Sequence, residues 1–89
     1  MGLKKQSIIA DAIGNLYRAA FFLARGQGEE RLAFSLIKQS VQKLSGKPKY
    51  SSISKNLNSL LKKFPYPFKN KTDRMILAEK VLDQYLILK

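Results

Sequence analysis

The sequence predicts an all-α fold: a compact bundle of four short helices forming a single domain over residues 1–89. Three observations carry that reading. Apolar residues recur at helical spacing in four stretches. No stretch alternates with the two-residue period of a strand. Glycine or proline falls between the stretches. Eighty-nine residues allow one domain with a modest core and little stability to spare.

The first helix is expected from about Ser7 to Arg25, with Ser7 as N-cap and Gly26 as stop. Asp11, Asn15, Arg18 and Arg25 form a narrow polar stripe; its first three members read as the exposed edge of a mostly buried helix or an interhelical salt-bridge stripe, with a buried polar site as the alternative. Nearly everything else is apolar, which suits a central helix buried by several neighbours. Gly26-Gln27-Gly28 leads into a second helix, about Glu29 to Leu44, whose first-turn carboxylates Glu29 and Glu30 favour the positive end of the dipole. Ala33, Phe34, Ile37, Val41 and Leu44 make its core face, while Arg31, Ser35, Lys38 and Gln42 line the opposite side.

Ser45 to Tyr50 reads as a loop, with Gly46 ending one helix and Pro48 blocking continuation. Ser51 or Ser52 is expected to cap a third helix reaching about Phe64. Its apolar stripe is Ile53, Leu57, Leu60, Leu61 and Phe64; Lys55, Ser59 and Lys62 point the other way, and Lys63 to one side. Phe64 to Lys71 is an extended connector stiffened by Pro65 and Pro67. Thr72 is expected to cap the last helix, which runs nearly to Lys89 with Met75, Ala78, Val81, Leu82 and Tyr85 as its core face. A chain ending inside a helix leaves open that it belongs to something larger.

Charge is the most informative functional signal. From Arg31 to Thr72 there are ten Lys/Arg and no Asp or Glu, whereas the other 47 residues carry seven basic and six acidic side chains. Nearly all of the net +11 therefore lies in one segment. A field of one sign and that length points to a polyanionic partner. The candidate nucleic-acid contacts are Arg31, Lys38, Lys43, Lys47, Lys49, Lys55, Lys62, Lys63, Lys69 and Lys71, with Tyr50 and Tyr66 as stacking aromatics among the loop lysines. The bland alternatives are a solubilising face for the lysines and closure of a small core for Phe64, Tyr66 and Phe68. Phe64 is assigned to the core outright. Nine of the ten cations are lysine, which suits phosphate more than bidentate reading of guanine. The expectation is a grip on the backbone of DNA or RNA with little sequence readout; with six to ten phosphate contacts, affinity falls on the order of 10³-fold or more between 50 and 200 mM salt.

A second surface is expected on the last helix, where Ile76, Lys80, Asp83 and Ile87 form a stripe outside the core face that marks either a protein contact or burial of the isoleucines against a long loop. Glu79 and Asp83 stand one turn apart, too few ligands for a metal. With no Cys and no His, disulfides, thiol chemistry and the usual zinc sets are excluded. No P-loop or dinucleotide turn is present, so an enzyme, a cofactor and a small-molecule substrate are not expected. The start misses the myristoylation pattern because Gln6 stands where Ser or Thr is needed. Asp11, Asn15 and Arg18 interrupt the apolar run Ile8–Ala24, against both a signal peptide and a membrane span. A cytoplasmic protein with at most peripheral membrane contact is the expectation.

Three resemblances bear on function. The run Ser51-Ser52-Ile53-Ser54-Lys55-Asn56-Leu57-Asn58-Ser59-Leu60 resembles the recognition helix of helix-turn-helix regulators, which implies that Ser52, Ser54, Lys55, Asn56 and Ser59 face DNA. In size, class and charge the chain is similar to the small helical subunits of CRISPR effector complexes, which implies a basic face lining a strand within a larger complex. In length and class it is similar to the four-helix immunity proteins of bacteriocin producers, which implies a protein ligand instead. The last two rest on no motif, so no residue is carried over from them. A homo-oligomer is compatible with either.

Overall fold

The computed structural model describes residues 2–26 and 28–88, with side chains from Ile8 onward. Gln27 and Lys89, placed in a loop and at the end of the last helix by sequence, lie outside the described residues, as does the side chain of Ser7. Four α-helices follow one another: α1 (Gly2–Arg25), α2 (Glu30–Ser45), α3 (Ser51–Lys63) and α4 (Lys71–Leu88). A single 3-10 turn, Pro48–Tyr50, leads into α3. No strand occurs among the described residues. The all-α bundle is as expected, except that α1 is long. It starts at Gly2 and runs through Ser7, so Ser7 is not its N-cap.

The core is built from one stripe of each helix. Ala12, Leu16, Ala19, Ala20 and Leu23 of α1 meet Ala33, Phe34, Ile37 and Leu44 of α2, Leu57 of α3, and Leu77, Ala78 and Val81 of α4. Leu16, Leu23, Ile37, Leu44, Leu57 and Leu77 are wholly buried, each worth roughly 1.5–3 kcal/mol of apolar transfer. The contacts follow a ring: α1 packs on α2 and α4, α3 packs on α2 and more lightly on α4. The α2/α3 seam and the α1/α4 seam are therefore opposite edges of the bundle.

Polar groups tie these seams at defined points. The buried Ser40 hydroxyl donates to the Ala12 carbonyl, 2.9 Å away, joining α2 to α1. Ser54 donates to the Val41 carbonyl at 3.3 Å, joining α3 to α2. The Arg74 guanidinium donates to the carbonyls of Leu23 and Ala24 at the end of α1, a cation where the helix dipole is negative. Gly26 makes room for it: with φ +80° it closes α1 in the left-handed conformation, and a Cβ there would sit 2.7 Å from Arg74 Cζ.

Several expectations are corrected. Asn70, not Thr72, caps α4, its Oδ1 accepting the Asp73 N–H at 2.8 Å; α4 begins at Lys71, two residues earlier than a Thr72 cap implies, which moves Thr72 inside. Neither Ser51 nor Ser52 caps α3. Tyr50 precedes that helix without a side-chain cap, because the 3-10 turn already bonds Ser51 N–H to the Pro48 carbonyl. Asn15 is buried and accepts a hydrogen bond from Arg18 of its own helix, so the buried polar alternative holds for it, while Asp11 and Arg18 are exposed as an edge would be. On α4, Met75 and Leu82 face outward while Leu77 is buried. The helix is rotated from the expected register, and Ile76, read as exposed, packs against the core.

Candidate nucleic-acid interface

The register of α2 follows from its apolar stripe, and it leaves Arg31, Ser35, Lys38 and Gln42 on the far side. These fall at i, i+4, i+7 and i+11, about 16 Å along the helix axis. Helix α3 runs antiparallel beside it, as the Ser54–Val41 bond at one end and the Phe34–Tyr66 ring pair at the other require. The two helices enclose a continuous groove. One part, about 530 Å³, is lined by Arg31, Ser35, Lys38, Gln39, Gln42 and Tyr66 among others. The next, about 390 Å³, shares Lys38 and Gln42 and adds Asn58 and Lys62. Its lining is cationic or uncharged polar, over an apolar floor that includes Phe34, Val41 and Leu61.

No carboxylate lines either part. Among the described residues the one ion pair is Arg25–Glu29, 3.4 Å apart at the α1–α2 turn, so Arg31, Lys38 and Lys62 face the groove without a neutralising partner. All three are exposed. Lys55 stands one and two turns before Asn58 and Lys62 on the same stripe of α3 and extends the cationic line beyond the groove.

Tyr66 closes the other end. Its ring is held against Phe34 and Phe68 at centroid distances of 5.8 and 6.4 Å, while Phe68 also packs edge-on to Phe34 at 5.5 Å. Phe64 is buried and Phe68 half-buried, so both close the core; Tyr66 remains 47% exposed. A ring fixed on one side and open on the other is a stacking platform. The Tyr66–Pro67 peptide is cis. Beyond it, Lys71 lines a recess with Tyr66, Asn70, Arg74 and the acidic Glu30.

The structure therefore divides the sequence candidates. Arg31, Lys38, Lys62 and Tyr66 converge, with Lys55 in line and Lys71 beside them. Lys43 is half-buried one turn beyond Ser40, on the side of α2 that meets α1. Lys47 is half-buried at the turn. Tyr50 packs against the core, with Lys49 over its ring at 5.7 Å, so it offers no free stacking face at the groove. Lys63 lies over Phe64 at 5.6 Å, and Lys69 is exposed on the connector. None of these six lines the groove. Sequence reasoning missed Gln39, Gln42, Ser35 and Asn58 as groove-lining donors and acceptors; their shared stripe with the cations was the available signal.

Ser54 is buried and bonded to α2, which removes it from the set a helix-turn-helix reading would turn toward DNA. No group of three or more carboxylates able to hold a metal occurs among the described residues. No described helix is long and apolar enough to cross a membrane. Fold and groove together define a class: a small all-α protein with an acid-free cationic groove along one seam. No protein-family model, curated protein or solved structure matches the chain.

Proposed function

We propose that this protein is a non-enzymatic binder of the nucleic-acid phosphate backbone, and that the α2/α3 groove holds a single strand. The observation that supports this most is the convergence of Arg31, Lys38 and Lys62 on one acid-free groove ending at Tyr66. Arg31 and Lys38, two turns and about 10 Å apart along α2, and Lys62 across the groove offer point charges to phosphates along the strand. Ser35, Gln39, Gln42 and Asn58 supply hydrogen bonds to sugar or base edges, and the exposed face of Tyr66 supplies stacking. A groove between helices packed about 8–10 Å apart is too narrow for a duplex, whereas an unpaired strand fits along it. Recognition is sequence-tolerant, since stacking and phosphate contacts do not distinguish bases. Service as a small cytoplasmic subunit of a larger nucleoprotein complex is consistent with this role.

Fluorescence anisotropy on labelled single- and double-stranded DNA and RNA tests the reading. The expected result is preference for single strands, lost in Lys38→Glu/Lys62→Glu and retained in Lys43→Glu/Lys49→Glu, whose side chains lie off the groove. Equal losses in both pairs would show that bulk charge, not the groove, governs binding. A protein ligand, the competing reading, finds its support on the opposite edge of the bundle.

A further inference from the structure

Among the described residues, helix α1 is covered on two sides, by α2 and α4, and by no element on a third. There Tyr17 and Phe21 are 53% and 50% exposed. The adjoining stripe of α4 is equally bare, with Met75 at 40%, Leu82 at 39% and Leu86 at 55%. Between the two helices runs a groove of about 250 Å³ floored by Ala20, Ala24 and Ala78, in which Glu79 is the one charged lining residue. That volume is below the ~300–1,000 Å³ of small-molecule pockets. It is suited to side chains of another protein surface.

We propose that a second copy of this chain covers this face, giving a two-fold dimer through α1 and α4. Charge is the first argument. Residues 8–25 of α1 and 72–88 of α4, the stretches that build the face, hold four Lys/Arg and four Asp/Glu, a net charge of zero; the remaining residues, Lys4, Lys5 and Lys71 of the same helices among them, carry the entire +11. Two copies of so basic a chain repel least when they meet through this face. An acidic partner, by contrast, is drawn to the opposite edge. Shape is the second argument. An isologous contact needs one patch that both inserts and receives, and here the projecting Phe21 and Leu82 flank an alanine floor that a projecting ring can enter. Area is the third. The exposed parts of the five large side chains amount to on the order of 500 Å² of apolar surface, which with its rim approaches the ~800 Å² per partner of a standard interface. The α2/α3 groove of each protomer stays open.

Sedimentation equilibrium on the full chain, freed of nucleic acid, tests this independently of the proposed function. The expected species at about 100 µM is a dimer whose association tightens as salt rises from about 0.15 to 0.5 M, because residual repulsion is screened. That salt dependence is opposite in sign to polyanion binding, so failure of one proposal is distinguishable from failure of the other. Leu82→Glu raises the dissociation constant at least about 100-fold by placing an unpaired charge in the contact, and Phe21→Ala raises it about 30-fold by removing a buried ring. Glu79→Lys, an exposed change that leaves the core untouched, raises it about 10-fold at the lower salt. Leu32→Glu, equally exposed on α2, leaves it unchanged. A monomer at 100 µM overturns the proposal, as does a dimer indifferent to Phe21, Leu82 and Glu79. Capture of a different protein by a monomer through the same face also overturns it.

Discussion

Ser40, Gly26 and Arg74 fix the relative placement of three helices, each through a different kind of contact. The Ser40 hydroxyl is wholly buried and reaches Ala12 across the α1/α2 seam. Ser40→Ala is therefore expected to cost about 1 kcal/mol in urea unfolding, the net worth of one buried hydrogen bond. Gly26 carries a double constraint, its positive φ and the guanidinium packed against it. Gly26→Ala is expected to destabilise by about 1–2 kcal/mol. Removing the Arg74 side chain relieves the steric part, so Gly26→Ala costs less in an Arg74→Ala background. A double-mutant cycle reads that difference as a coupling; strict additivity would show that backbone strain alone is responsible. Sequence gave no sign of the Arg74 contact, because its partners are main-chain carbonyls fifty residues away.

At the scale of elements, breaks were legible and rotations were not. Gly26, Gly46, Pro48 and Pro65 stop helices through local backbone chemistry, so all four helices were foreseen within a few residues, apart from the start of α1. Helices α2 and α3 have clear apolar stripes, and their outward faces were read correctly. Helix α4 has Met75, Ile76, Leu77, Leu82, Tyr85, Leu86 and Ile87 around most of its circumference, so several registers bury apolar residues equally well. Contacts with α1 choose the one that buries Leu77. Leu77→Ala is accordingly expected to cost about 2–4 kcal/mol, whereas Met75→Ala and Leu82→Ala cost less than about 1 kcal/mol by chemical denaturation of the monomeric state. Equal costs would contradict the register. The same ambiguity explains why Ile76 was assigned to an interface and Met75 and Leu82 to the core.

The whole molecule separates its charge from its exposed apolar surface. The acid-free segment Arg31–Thr72 supplies the α2/α3 edge, and the charge-balanced stretches 8–25 of α1 and 72–88 of α4 supply the opposite one. The first edge was legible because periodicity places Arg31, Lys38, Lys55 and Lys62 away from their core faces. The second was hidden, because an apolar α1 suggested full burial, which four helices of this length do not provide. The fold also revises the expected scale of salt dependence. Six to ten phosphate contacts presumed that all the lysines converge; four cations lie along the groove line, and for a single strand they give a slope of about −2.8 in log K against log salt.

That slope is the most direct test of the central claim. Anisotropy titrations of one labelled single-stranded oligonucleotide, run from 50 to 200 mM salt, are expected to show affinity falling about 50-fold for the unaltered chain. For Lys38→Gln/Lys62→Gln the expected fall is about 7-fold, two fewer phosphate contacts having halved the slope. A slope near zero, or one that those two substitutions leave unchanged, would contradict a groove-bound nucleic-acid backbone.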